Sequence, residues 1–89
     1  MNRDPTKEEL KKIEKWSAKD CSGLMDFIHG IWEYADCGYW VQKDKIYNIS
    51  TGGWSGNEDI MGALERNWMF WILCWQESRR GGHYIFHVK

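Results

Sequence analysis

The chain has 89 residues, among them seven Trp, four Tyr and three Phe, and its formal net charge at pH 7 is −1. This length fits a single domain, residues 1–89, and the near-neutral charge argues against a generic binder of the nucleic-acid backbone. The chain has no apolar run of roughly eighteen residues, as a membrane helix needs, and its N-terminus lacks the apolar segment of a signal peptide. We therefore expect a cytoplasmic protein that does not enter a membrane.

Two helices are predicted in the N-terminal part. Residues 6–19 begin with a capping box, in which Thr6 and Glu9 each satisfy a free backbone donor of the other. Lysines at four-residue spacing form a cationic ridge of Lys7, Lys11, Lys15 and Lys19. Residues 23–35 show the clearest amphipathic pattern of the chain and are expected to supply the core. Their apolar stripe is Leu24, Phe27, Ile28, Ile31, Trp32 and Ala35.

A β-hairpin and a third helix are predicted next. The β-rich runs 39–42 and 46–49 are separated by a short polar segment, which is typical of a hairpin. The third helix is expected to start at Ser55, where Glu58 completes a second capping box, and to run to about Asn67.

Residues 68–75 fit two patterns. Apolar residues at helical spacing would continue the third helix, whereas the density of aromatic and β-branched residues favours a buried strand. We predict the strand, because the Gly81-Gly82 pair and the β-rich run 83–88 that follow are typical of a hairpin. The predicted order is α-α-β-β-α-β-β. This is an α+β fold with two N-terminal helices, then a small antiparallel sheet in ββαββ order with one further helix.

A glycine-rich loop before the third helix is the main candidate ligand site. Such a loop can direct several backbone N–H groups at one anion, and the helix dipole favours negative charge there. Trp54 could stack on a base, but the loop matches neither a Walker A motif nor a nucleophile elbow. The alternative is an ordinary strand-to-helix turn, since Gly and Ser are common in turns. The candidate residues are Thr51, Gly52, Gly53, Trp54, Ser55, Gly56 and Asn57.

A second glycine turn, residues 78–83, contains two adjacent arginines. Arg79 and Arg80 could hold a phosphate or carboxylate through paired hydrogen bonds, and His83 adjoins the turn. The alternative is a solvated hairpin tip. The arginines become a stronger candidate if this turn folds near the glycine-rich loop, which a sequence does not show.

Neither a cofactor site, a metal site nor an enzyme motif is predicted. His83 and His87 would share one face of a strand, but their spacing is not that of a zinc site. Cys21, Cys37 and Cys74 form no CxxC motif and are expected to be free thiols. Because no arrangement of Cys, His and Asp indicates nucleophilic catalysis, we expect a protein that is not an enzyme.

The C-terminal half resembles a type of short protein encoded by bacteriophages and prophages. The resemblance covers roughly residues 39–88 and depends on the segments 49–59, 70–71 and 80–86. It implies expression in the cytoplasm of a bacterial host. Many such proteins are accessory factors that counteract host defences, either by binding a defence protein or by sequestering a nucleotide signal. The resemblance assigns no catalytic residue.

Two functions follow as hypotheses. In the first, the loop binds a phosphate-bearing, nucleotide-like ligand, Arg79 or Arg80 closes on it, and a homodimer encloses the pocket. In the alternative, exposed Trp and Tyr side chains anchor the chain on a bacterial defence complex as a protein–protein inhibitor. Direct nucleic-acid binding through the lysine ridge ranks third. A dimer is expected in either case, because the aromatic content exceeds what one small core can bury.

Overall fold

The computed structural model describes residues 5–33 and 35–88, apart from the side chain of Asp36. These residues have the predicted α+β character, with four α-helices and one four-stranded antiparallel sheet. The elements are α1 (Lys7–Glu14), a 3₁₀ turn (Ala18–Asp20), α2 (Cys21–Ile31), a second 3₁₀ turn (Ala35–Cys37), β1 (Trp40–Lys43), β2 (Ile46–Ser50), α3 (Ser55–Arg66), α4 (Trp68–Cys74), β3 (Trp75–Arg79) and β4 (His83–His87).

The strands follow the spatial order β1-β2-β4-β3, and all neighbours are antiparallel. Side chains alternate along each strand, so Tyr47, Ile49 and Phe86 lie on one face and are buried in a single core with residues of the helices. The ring of Phe70 in α4, for example, lies 5.7 Å from that of Phe86 between centroids. The helices therefore cover this inner face, and the outer face carries the more exposed side chains.

The first helix is shorter than predicted. Its capping box is confirmed: the Glu9 N–H donates to Thr6 Oγ1 at 3.1 Å, and the Thr6 N–H donates to Glu9 Oε1 at 2.9 Å. The helix ends at Glu14, and Ser17 caps the next turn with a hydroxyl that accepts from the Lys19 N–H. Lys19 thus lies outside α1, and the predicted four-lysine ridge is interrupted.

The second helix spans Cys21–Ile31 rather than 23–35. Its earlier start has a local cause, because the Asp20 carboxylate accepts from the Gly23 N–H at 3.2 Å and caps the helix. The prediction that this helix supplies the core is confirmed. Leu24, Met25 and Ile28 are fully buried, whereas Phe27 and Ile31 are half-buried.

The predicted hairpin is also confirmed. It is formed by β1 and β2, with Lys43 opposite Ile46. Asp44 in the connecting turn has a φ of 56°, a left-handed conformation that Asp tolerates better than most residues. The turn lies at the end of the sheet opposite Ser50, the last residue of β2.

The prediction of a strand over 68–75 is wrong. Residues 68–74 form α4, and only Trp75 belongs to a strand. The Asn67 side chain accepts from the Phe70 N–H at 3.3 Å and starts the helix, and the Asn67 carbonyl accepts from the Trp71 N–H at 3.0 Å. The order is therefore α-α-β-β-α-α-β-β, so two helices, not one, separate the two halves of the sheet.

Candidate binding site

The two glycine-rich turns meet at one end of the sheet. The Thr51 N–H donates to the Gly82 carbonyl at 3.0 Å, directly beyond the pairing of Ser50 with His83. The juxtaposition on which the ligand hypothesis depends is therefore present. We call this region, residues 51–57 and 79–83, the double-turn site.

Two glycines let these turns pack against their neighbours. Gly82 has a φ of 77°, and a Cβ there would overlap the Thr51 hydroxyl. Gly52 has a φ of 63°, and a Cβ there would overlap the Tyr39 ring. Both positions require glycine for conformation and for space. By contrast, a Cβ at Gly53 would meet no atom within 4 Å, so the main chain there is open on that side.

Thr51 and Asn57 are buried and bind other parts of the protein. The Asn57 Oδ1 accepts from the Glu33 N–H at 2.8 Å, and Nδ2 donates to the carbonyls of Glu33 at 3.2 Å and Thr51 at 3.3 Å. The Thr51 hydroxyl accepts from the Gly53 N–H at 3.4 Å. These two side chains therefore stabilise the conformation of the loop from inside the protein. A ligand on the surface would contact the exposed residues of the loop before it reached these two side chains.

His83 is held by two hydrogen bonds on the outer face of the sheet. Its Nδ1 lies 2.8 Å from the Ser50 hydroxyl, and its Nε2 lies 3.3 Å from Asn48 Oδ1. Because an amide oxygen can only accept, Nε2 donates to Asn48, and the Ser50 hydroxyl can either donate to Nδ1 or accept from it. Both nitrogens are thus engaged, which fixes the imidazole beside the double-turn site.

The exposed part of the site combines glycine-rich main chain, positive charge and one aromatic ring. The predicted capping box of Ser55 and Glu58 is absent, because Ser55 is already the first helical residue and Trp54 occupies the cap position. The Trp54 side chain does not form a cap hydrogen bond with α3. Arg79 forms an ion pair with Glu77 of the same strand. The exposed candidates are Gly52, Gly53, Trp54, Ser55, Arg79 and Arg80, whereas Gly56 is buried.

Tyr84 lies on the inner face of β4, next to His83. Burial raises the pKa of its hydroxyl above the ordinary value, and the negative charges of Glu65 and Glu58 on α3 raise it further. The hydroxyl therefore stays protonated at neutral pH and remains a hydrogen-bond donor.

No protein-family model, curated protein or solved structure matches the chain. Among the described residues, no three His, Cys, Asp or Glu side chains are grouped so that they could hold a metal ion. The four helices of the described residues include none that is both long and apolar enough to cross a bilayer.

Sequence reasoning missed an exposed apolar surface on α4 and the first residue of β3. It consists of Trp68, Met69, Ile72, Leu73 and Trp75, each of which is at least 40% exposed. Helical spacing contained the signal, since Phe70 and Cys74 are four residues apart and both face the core. With 68–74 as a helix, the outer side carries Trp68, Met69, Ile72 and Leu73, and the exposed Trp75 follows at the start of β3. We call these five residues the α4 surface.

A second missed feature is an open groove of about 440 Å³ beside α1. Lys11, Lys12, Lys15 and Trp16 line it, together with Glu8, Ser17 and Asp20. The Lys12 ammonium lies 4.8 Å from the centroid of the Phe27 ring, so part of its charge faces an aromatic surface. The two acidic residues offset most of the remaining positive charge. Two lysines of the predicted ridge, Lys11 and Lys15, therefore line this groove.

Proposed function

We propose that the chain is a non-catalytic binding protein that holds a phosphate-bearing, nucleotide-like ligand at the double-turn site. The observation that supports this is the hydrogen bond from Thr51 to Gly82, which joins two turns that lie about thirty residues apart in the sequence. Glycine main chain, two arginines and a tryptophan thereby share one end of the sheet.

Each group has a role that its chemistry suits. The main chain at Gly52 and the start of α3 supply N–H donors to a phosphate. Arg80 adds a charged donor, and Arg79 exchanges its Glu77 partner for the ligand. The half-exposed Trp54 ring stacks on the base. Thr51, Asn57 and His83 position these groups from behind.

The biological role we propose rests on the resemblance to small phage proteins. A protein of this kind that binds a nucleotide without catalysis would remove a signal from a host defence pathway. Its place of action is the cytoplasm of a bacterial host. Sequestration needs tight binding and no chemistry, which is consistent with a site built from main chain and arginines.

The test combines retained ligand with titration of defined probes. The protein is purified from a bacterial host, treated with nuclease, and its ratio of absorbance at 260 and 280 nm is recorded. Calorimetric titrations with ATP and with inorganic phosphate follow. ATP is expected to bind, and phosphate more weakly, because only ATP offers a base to Trp54.

Variants decide where the probe binds. Arg80→Glu is expected to abolish ATP binding, because it replaces a charged donor with a repelling carboxylate. The matched control is Lys45→Glu, which makes the same charge change in the β1–β2 turn at the opposite end of the sheet and is expected to leave binding unchanged. Equal effects of the two variants, or no binding of either probe and no retained nucleotide, would refute the proposal.

A second candidate function is inhibition of a bacterial defence complex by protein–protein contact. The observation in its favour is the α4 surface, which leaves two Trp side chains and three aliphatic ones on the outside of the molecule.

A further inference from the structure

The strand β3 presents a free edge. It is the last strand of the sheet and pairs only with β4 among the described residues. All five of its residues are exposed. An edge strand of this kind carries a row of unpaired N–H and C=O groups that can pair with a further strand.

The charges on this edge alternate in sign on one face. Glu77 lies opposite Ile85 and Arg79 opposite His83, so the two charged side chains share the outer face of the sheet two residues apart. Ser78 lies between them and points to the inner face. The edge therefore has a built-in polarity, negative before Ser78 and positive after it.

The α4 surface is continuous with this edge. The Trp71 and Trp75 rings stack at 6.0 Å between centroids with an interplanar angle of 13°, which ties α4 to the first residue of β3. Ile72 is 65% exposed and Trp68 62%. Exposed apolar side chains therefore lie beside an unpaired strand edge. A single interface would bury the apolar side chains and pair the backbone groups of the edge.

We propose that two copies of the chain pair their β3 edges antiparallel about a two-fold axis at Ser78, with the α4 surfaces of both copies flanking the join. This register sets Glu77 of each copy opposite Arg79 of the other, so the ion pair within each strand is exchanged for one between the two copies. Centring the axis on residue 77 or 79 instead would place like charges opposite each other, which is unfavourable. The paired edges form one continuous sheet of eight strands, and the interface is self-complementary as a two-fold axis requires.

This inference is independent of the proposed ligand. Arg79 is shared by the β3 edge and the double-turn site, whereas the rest of the interface lies outside that site. The interface also supplies a reason for the exposed apolar side chains that a ligand at the double-turn site does not. We expect the partner at this edge to be a second copy rather than a strand of another protein. The order of charges along the edge, Glu77 and then Arg79, is complementary to the same edge running in the antiparallel direction.

The test measures self-association of the full chain by sedimentation equilibrium. The wild type is expected to be dimeric at micromolar concentration. Glu77→Arg and Arg79→Glu, each alone, create two like-charge contacts per dimer and are expected to weaken association roughly tenfold or more. Lys43→Glu, on the outer face of the other edge strand, is the matched control and should dimerise like the wild type.

Mixing the two single variants provides the decisive result. The Glu77→Arg chain carries arginine at both charged positions of the edge, and the Arg79→Glu chain carries glutamate at both. The mixture is therefore expected to form heterodimers more tightly than either variant forms homodimers. Ile72→Lys, which charges the α4 surface, should weaken the dimer as well. Circular dichroism checks that every variant is folded.

Three outcomes would overturn the proposal: a monomeric wild type, a mixture without preferential heterodimers, or a dimer that Lys43→Glu disrupts and Glu77→Arg does not. An Ile72→Lys chain that dimerises normally would remove the α4 surface from the interface. A failure of ATP binding with an intact dimer would refute the ligand proposal alone, so the two proposals can be told apart.

Discussion

The side chain of Asn57 forms hydrogen bonds with both the backbone N–H and the backbone C=O of Glu33. It thereby satisfies the two groups that a neighbouring strand would pair in a sheet. This pair joins the end of α2 to the start of α3 across 24 positions of the chain. Both groups are buried. A buried backbone group without a partner destabilises a protein by about 1–3 kcal/mol, so this amide is a structural link on which the shape of the loop depends.

We therefore expect Asn57→Ala to lower the free energy of unfolding by at least about 2 kcal/mol, since it leaves the buried N–H and C=O of Glu33 without partners. Ser55→Ala, two positions earlier on the exposed side of the same helix, should stay within about 0.5 kcal/mol. Urea denaturation followed by far-UV circular dichroism measures both. Similar small losses for the two variants would show that the Asn57 link does not stabilise the fold.

Gly81 and Gly82 allow two reasons for glycine in a turn, backbone conformation and lack of space for a side chain, to be tested separately. Both have positive φ, at 83° and 77°, but only at Gly82 would a Cβ overlap another residue, the Thr51 hydroxyl. Gly81→Ala should cost about 1–2 kcal/mol of stability from conformation alone, and Gly82→Ala about 1–3 kcal/mol more from overpacking. Adding Thr51→Ala to Gly82→Ala should recover part of that excess, whereas Thr51→Ser should not. Equal losses at the two glycines would mean that the turns are not in contact.

The second helix gives a test of which face it buries. Ile28 is fully buried, so Ile28→Ala should lower stability by roughly 2–5 kcal/mol. Phe27 is larger but only half-buried, with its ring 5.4 Å from that of Trp16, and Phe27→Ala should cost less than Ile28→Ala. Thermal and urea denaturation would both report the order, and a reversed order would mean that the helix is rotated about its axis.

Local signals predicted the parts of the fold that local forces decide. The Thr6 capping box and the hairpin around Asp44 depend on residues a few positions apart, and both are present. The α4 helix depends on Asn67, whose side-chain amide donates to the carbonyls of Ile13 and Trp16 more than fifty positions earlier. Apolar and β-branched composition favours a strand there, and only the tertiary contact explains the helix.

The candidate site divides in the same way. Sequence reasoning identified the glycine turns and the arginines because their chemistry is visible in the residue types. It could not place Thr51 beside Gly82, since that contact depends on the pairing of β2 with β4. Nor could it show that Asn57 points inward, because its partner is the distant backbone of Glu33. The residues were predictable and their orientation was not.

The cysteines should differ sharply in reactivity. None of the three forms a disulfide; Cys37 is exposed, whereas Cys21 and Cys74 are buried. An exposed thiol is accessible to an alkylating reagent and a buried one is not until the protein opens. Mass spectrometry after brief native alkylation should therefore show one modified site, Cys37, and three after denaturation. Rapid native modification of Cys74 would indicate that α4 detaches from the core.

Asn67 has two roles, as the cap of α4 and as a tertiary link to the residues around α1, and a substitution can test them separately. Its Oδ1 caps α4 through the Phe70 N–H, and its Nδ2 donates to the carbonyls of Ile13 at 2.9 Å and Trp16 at 3.0 Å. Asp is as good a cap as Asn, so Asn67→Asp would be neutral if capping were the whole role. At neutral pH, however, its carboxylate cannot donate and would face two carbonyl oxygens in a buried setting.

We therefore expect Asn67→Asp to be destabilised by at least about 2 kcal/mol, because two buried acceptors lose their donor, and Asn67→Ala to be destabilised by a similar or larger amount. The matched comparison is Ser17→Asp, which exchanges one capping residue for another at the exposed 3₁₀ turn and should change stability by less than about 0.5 kcal/mol. Urea denaturation at pH 7 gives all three values. If Asn67→Asp were as stable as the wild type, Asn67 would act only as a helix cap. Apolar packing would then be what holds α1 against the start of α4.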